Sequence, residues 1–147
     1  MGFEIVDFSS GREGWLAHVN QPSGPRVGKY RVNLSDLDVI GVGSIRDASK
    51  NAQVIIVDEL GPMELLSQAF REAVVEAING VKPLLGTIHF RLRDPLINLI
   101  KTRDDAEIIE VTYENRASKP LLRKITDTMV LAVMECEQQK NHSSMCL

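Results

Sequence analysis

The chain is short of cysteine, aromatic residues and long apolar runs, and each shortage removes a class of protein. No apolar run approaches the roughly 18 residues of a membrane-spanning helix. The opening MGFEIVDFSS lacks a basic start followed by a long apolar stretch, so it does not read as a secretory signal. Met1-Gly2 is followed by Val6 and Asp7 where a myristoylation pattern needs Ser or Thr, and Cys146 stands too near the end for prenylation. The two cysteines, Cys136 and Cys146, have no nearby histidine pair. They make a poor metal site and read as reduced thiols of a cytoplasmic protein. Asn33 and Asn141 open N-x-S sequons, which carry no meaning without secretion. Aromatic residues make up 5% of the chain, too few for a base-stacking surface. Lys+Arg number 17 against 20 Asp+Glu, a net charge of −3, which argues against a nucleic-acid backbone as partner.

What remains is 147 residues, 44% hydrophobic and 25% charged, enough to bury one core. One domain is expected over 1–138, with a frayed tail at 139–147. Alternation in 3–8 and 15–20 about the Ser- and Gly-rich 9–14 predicts a β-hairpin. A loop at 21–28 and a short strand at 29–34 follow. Ser35 is the expected N-cap of a helix that Gly41 and Gly43 weaken. The run AQVIIVDE (52–59) reads as a strand buried on both faces of a parallel sheet. Residues 60–63 break the chain, and 64–80 has the spacing of an amphipathic helix stopped by Gly80. A buried strand is predicted at 82–89, and a short helix at 94–103 capped by Asp94 with Pro95 in its first turn. A third buried strand is predicted at 106–112, then a long helix capped by Ser118. The β-α-β-α-β-α order predicts parallel strands with right-handed crossovers.

The strongest local feature is VIIVDELGPME, residues 54–64. Ligands of open parallel sheets bind at the carboxyl ends of the strands. An apolar strand ending in Asp58-Glu59 has the form of a Walker B segment. Asp58 can hold a magnesium ion, usually through its waters, and Glu59 can orient a water for in-line attack on a γ-phosphate. Neighbouring strand residues point to opposite faces, so both acids can serve one site only if the strand is ending there, as Gly61-Pro62 suggests. A phosphate-cradling G-x-x-x-x-G-K-[ST] is not found. The nearest string, Gly24 to Tyr30, is one residue short, carries Tyr30 in place of the hydroxyl, and leads into a strand instead of a helix.

The D-E-x-G-x-M-E stretch (Asp58, Glu59, Gly61, Met63, Glu64), the V-G-x-Y segment (Val27, Gly28, Tyr30) and the V-T-x-E-N-R segment (Val111, Thr112, Glu114, Asn115, Arg116) occur in this order. With them the chain resembles, over roughly residues 2 to 125, the small P-loop nucleoside-triphosphatase family first described from thermophiles, also called the cancer-related nucleoside-triphosphatase family. The resemblance implies a three-layer α/β fold of the P-loop NTPase type, with a mostly parallel sheet behind an N-terminal β-hairpin. It implies Mg-dependent hydrolysis of a nucleoside triphosphate to the diphosphate and phosphate. It also implies that the first strand-loop-helix unit, about 30 residues or more by the size of such units, is not in this chain. Without that phosphate grip, little hydrolysis by the chain alone is expected. The absent strand is expected beside the Walker B strand, leaving an open apolar edge prone to self-association or to capture of a partner chain.

Thr87 and His89, at a strand end, are candidates for contact with the γ-phosphate. Asn115 and Arg116 are candidates for holding the base or its phosphates. Arg91, Arg93 and Arg103 could each supply a transition-state charge or form a solvated basic loop. Glu64 could support the site or complement a helix dipole. Two further readings stay open: a non-catalytic binding or assembly module, and kinase-like phosphoryl transfer.

Overall fold

A computed structural model describes residues 1–144, with side chains through residue 139. The first third of the chain builds an antiparallel sheet. Strands β1 (Gly2–Asp7) and β2 (Arg12–His18) form the expected hairpin, with a bulge between Phe3 and Glu4. Its turn is organised by Asp7, whose carboxylate accepts the Ser9 amide at 3.0 Å and the Ser10 hydroxyl at 2.5 Å. β4 (Tyr30–Val32) pairs with β2, and the two-residue β3 (Arg26–Val27), which the sequence reads as loop, pairs with β4. The Gly24–Tyr30 string is thus a small hairpin, not a loop entering a helix. The sheet order is β1-β2-β4-β3.

A helical run follows: α1 (Leu34–Asp36), a π-helical segment (Leu37–Val42) and α2 (Gly43–Asn51). Its cap is Asn33, not Ser35. The Asn33 Oδ1 accepts the Asp36 amide at 3.2 Å, and the Asp36 carboxylate accepts the Trp15 amide at 2.9 Å, fixing the helix entry to β2. The glycines that weaken the helix by propensity have a packing use. A Cβ on Gly41 would lie 3.0 Å from Ile5 and 3.2 Å from Leu37, so the small residue lets the helix approach β1 closely. Leu37, Ile40, Val42 and Ile45 are buried on its inner face.

β5 (Ile55–Leu60) and β6 (Leu84–Ile88) are parallel and make a separate two-stranded sheet. Between them lie a 3₁₀ turn (Glu64–Leu66) and α3 (Gln68–Ile78). The helix predicted from 64 starts at Gln68 because Ser67 intervenes as cap. Its Oγ accepts the Phe70 amide at 3.0 Å and donates to Asp38 at 2.5 Å, tying α3 to the first helical run. Phe70, Ala73, Val74 and Ala77 of α3 pack against Ile55, Val57 and Leu60 in one continuous core that also takes in Ala17 and Val32 of the antiparallel sheet. α4 (Pro95–Lys101) is capped by Asp94 with Pro95 in its first turn, as its sequence signals. α5 (Lys119–Ser144) begins at the Ser118 cap, whose Oγ accepts the Leu121 amide at 3.3 Å.

Two expectations need correction here. Residues 106–112 form no strand; they carry no regular secondary structure and pair with no sheet. β5 is buried on one face only, since Ile56 is 66% exposed. Within the α/β class the parallel part is therefore the β5–β6 pair, and the antiparallel sheet is larger than a hairpin. The neighbour of β5 is β6, and both outer edges of this pair lack a strand among the described residues. α5 runs through Ser144, and the end of the expected 139–147 tail, residues 145–147 with the Cys146 thiol, lies outside the described residues. Cys136 is unpaired and buried.

Ser67→Ala removes both the α3 cap and the partner of the Asp38 carboxylate. It should lower the unfolding free energy by about 1–2 kcal/mol, read from the urea midpoint at unchanged slope.

Candidate active site

The β5–β6 register explains how two adjacent acids reach one side of a strand. Ile55, Ile56 and Val57 pair with Leu84, Leu85 and Gly86, and the next pairing is Leu60 with Ile88. From Val57 to Leu60 is three steps, and from Gly86 to Ile88 is two, so β5 carries one extra residue: a bulge. Val57 and Leu60 both stay buried, and Asp58 and Glu59 are both exposed. The acids therefore share the open side, at the carboxyl end of a parallel pair. The bulge, more than the strand's end, accomplishes this.

Thr87 lies opposite the bulge, and its hydroxyl donates to Asp58 Oδ1 at 2.5 Å. This holds one carboxylate oxygen, and the other has no partner among the described residues. His89, one residue beyond β6, is exposed, with no ring partner among the described residues. The sequence thus places Asp58, Glu59, Thr87 and His89 at one end of the pair, and the structure does the same.

Glu64 joins this end from the 3₁₀ turn. Its Oε2 accepts the Gly61 amide at 3.1 Å. A Cβ on the buried Gly61 would lie 2.4 Å from Glu59 Oε1 and 2.7 Å from Glu64 Oε2, so two carboxylates fold over one glycine and a side chain there would displace them. Burial pushes the Glu64 carboxyl above the ordinary glutamate range; the charge of Glu59 pushes the same way, and backbone amides of the turn oppose it. By residue type and position Glu64 reads only as a support of the site or a complement to a helix dipole. The spacing of two acids about a glycine in 59–64 was the available signal.

Arg71 clamps the loops that leave the two strands. Its Nε donates to the Leu65 carbonyl at 2.7 Å, and its two terminal nitrogens donate to Asp94 at 3.0 and 2.6 Å. The Arg71 guanidinium holds the Asp94 carboxyl below the usual carboxylate range.

The remaining candidates are engaged elsewhere or stand alone. The Asn115 carboxamide is used within its own loop, accepting the Thr112 amide at 2.7 Å and donating to the Glu110 carbonyl at 3.0 Å. The Arg116 guanidinium sits over the Tyr113 ring at 4.4 Å. No bond brings either to the acid pair. Arg103 is taken by Asp105, with both contacts at 2.7 Å, and by Asn79 at 2.9 Å. Arg91 and Arg93 are exposed, with no ion-pair partner among the described residues.

Fold and geometry together define an α/β domain with its acid pair at the carboxyl end of a parallel strand pair. A family model described as NTPase matches residues 1–126. The chain is 45% identical over 121 residues to the nucleoside-triphosphatase THEP1 of Thermofilum pendens, covering 82% of this chain and 66% of that protein. It is 44% identical over 129 residues to the nucleoside-triphosphatase THEP1 of Thermotoga maritima, covering 88% and 72%. The crystal structure of THEP1 from the hyperthermophile Aquifex aeolicus matches with a TM-score of 0.76 at 30% identity, over 87% of this chain and 76% of that one. The chain belongs to this NTPase family. It spans about two thirds of the length of the Thermofilum relative.

The raised Glu64 carboxyl sets a sign for stability. A carboxyl whose folded pKa exceeds its unfolded one favours folding fully below the unfolded pKa, and that contribution is lost as pH rises through the folded pKa. Glu64→Gln keeps an oxygen for the Gly61 amide and cannot ionise. The variant should be more stable than the parent at neutral pH, with the gap closing below about pH 4, as urea midpoints taken across the acid range would show.

Proposed function

We propose that this domain carries the metal- and water-handling half of a Mg-dependent nucleoside-triphosphatase that converts NTP to NDP and phosphate. The observation that carries the reading is the β5 bulge, which turns Asp58 and Glu59 together to the open end of a parallel pair. Family membership supports the triphosphate as substrate.

The donor set fits magnesium with a nucleotide. Such a site uses one or two protein oxygens and leaves the rest to phosphate oxygens and water. Asp58 offers one open carboxylate oxygen, and the Thr87 hydroxyl fixes the other. When bound there with nucleotide, magnesium supplies charge neutralisation of the β- and γ-phosphates. Glu59 accepts a hydrogen bond from the attacking water and aims its oxygen at the γ-phosphorus. The new O–P bond forms as the β–γ bridging bond breaks, with the bridging electron pair leaving on the diphosphate. The water proton passes to Glu59 or to the departing phosphate. His89 is within the same strand end to contact γ-phosphate oxygens. Asn115 and Arg116 are proposed, from the family resemblance, to help hold the nucleotide base or its phosphates. A cytoplasmic setting suits this chemistry, and among the described residues no helix is long and apolar enough to cross a membrane.

These 147 residues hold no G-x-x-x-x-G-K-[ST] and so lack the backbone cradle for the phosphates. The chain alone should release phosphate well below an ordinary turnover of about 1 s⁻¹. With a strand-loop-helix segment bearing that motif joined ahead of Met1, Mg-dependent phosphate release should appear. Glu59→Gln should then lower the rate by about a hundredfold or more while nucleotide binding persists. Phosphate release unaffected by Glu59→Gln would overturn the assignment. Transfer of the phosphoryl group to an acceptor other than water would establish the kinase-like reading instead.

A further inference from the structure

The turn that leaves β6 is anchored at both ends and carries side chains without partners among the described residues. The Leu92 amide donates to the His89 carbonyl at 3.0 Å, closing a β-turn with Phe90 and Arg91 at its corners. Leu92 packs against the core. Two residues further on, Asp94 is clamped by Arg71 and caps α4 through the Leu96 amide at 2.9 Å. His89, Phe90, Arg91 and Arg93 are left exposed. Phe90 is 74% exposed, and among the described residues no ring or guanidinium is stacked on it. Arg91 and Arg93 form no ion pair among the described residues, although Asp58 and Glu59 stand at the same end of the strands. A bare aromatic ring flanked by unpaired cations is complementary to a planar base joined to a phosphate. One ring stacks one base, so the ligand is the size of a mononucleotide. A nucleic-acid strand calls for a row of rings along a basic groove, and this chain has a net charge of −3.

We propose that the turn 89–93 binds a second nucleotide, a nucleoside monophosphate, with its base stacked on Phe90 and its phosphate held by Arg91 and Arg93. That a second molecule is involved rests on the hydrolytic reading, which places the γ-phosphate at His89. In an extended triphosphate the base lies a ribose and two phosphates away from that group, so the ring beside His89 serves a different molecule. The second nucleotide sits at the γ-phosphate end, outside the acid pair. Because the turn is fixed by Leu92 and Asp94, little loop ordering opposes binding.

The test is a titration of the 147-residue chain with adenosine 5′-monophosphate, followed by backbone amide NMR shifts. EDTA is present throughout, so that no metal holds nucleotide at the acids. Shifts should concentrate at 89–93 and saturate. Phe90→Ala and Arg91→Ala should each weaken binding by about tenfold, and Phe90→Tyr should keep it. Both side chains are exposed, so the urea midpoint of each variant should match the parent's. Ribose 5-phosphate, which lacks the base, should bind about tenfold more weakly than the monophosphate. No saturable shift, shifts centred on 112–116 or 58–64, or an affinity indifferent to Phe90→Ala overturns the proposal. Each of these leaves the hydrolytic assignment standing, since Glu59→Gln tests that separately in the extended protein. A single strand of about twelve nucleotides that binds through 89–93 about a hundredfold more tightly than the monophosphate also overturns the proposal, because it assigns the turn to nucleic acid.

Discussion

The candidate site depends on one irregularity in one ladder, the extra residue in β5 between Val57 and Leu60. A regular strand would have sent Asp58 and Glu59 to opposite faces, and one of them would have met Phe70 and Val74 in the core. An ionised carboxylate there would be driven to neutralise, and it could serve neither a cation nor a water. The bulge keeps Val57 and Leu60 buried on either side of the acids. The flanking burial is thus what holds the bulge in place. Slipping back to a regular register would expose Leu60 or bury an acid.

The surroundings hold this arrangement from three directions. Thr87 fixes Asp58 from the neighbouring strand. Glu64 fixes the Gly61 amide from the following turn. Arg71 bonds the chain leaving β5 at Leu65 and the chain leaving β6 at Asp94, so both exits are tied to α3. Ser67 ties the same helix to Asp38 in the preceding helical run. The Glu64, Arg71 and Ser67 contacts pair groups that would otherwise be left partly buried and unsatisfied. The acid end of the sheet is therefore built into the core-bearing elements, not carried on a loose loop.

Much of this was legible in the residues. Asp94 before Pro95 and Ser118 ahead of a periodic run marked helix starts that the structure keeps, because caps act through local hydrogen bonds. The acids were legible because an apolar run ended on them. The cap at Asn33 was not, since Asn33 and Ser35 are both good caps and the choice fell to the Asp36–Trp15 bond across 21 residues. The bulge was hidden for a similar reason. Only the pairing with β6 shows that Val57 and Leu60 face the same way, although three-residue spacing of buried apolar residues in a strand was its trace. Asn115 is a ligand candidate by resemblance and position, and its carboxamide also closes its own loop, a use that residue identity alone does not reveal.

The segment 106–112 was read as a strand and is not one, and the misreading is informative. Its Ile108, Ile109 and Val111 have the composition of a buried strand, and strand propensity is largely a measure of packing against neighbours. Here the neighbouring position on the β6 side is a cleft, so the segment keeps the composition without the ladder. α5 shows the same mismatch: it runs 26 residues, yet Leu122, Leu131 and Met134 are each more than half exposed. The exposed Ile56 face of β5 is a third case. Three separate elements are more apolar than their surroundings warrant. In each, side-chain type is set by more than burial within the described residues, so composition alone misjudges the ladder.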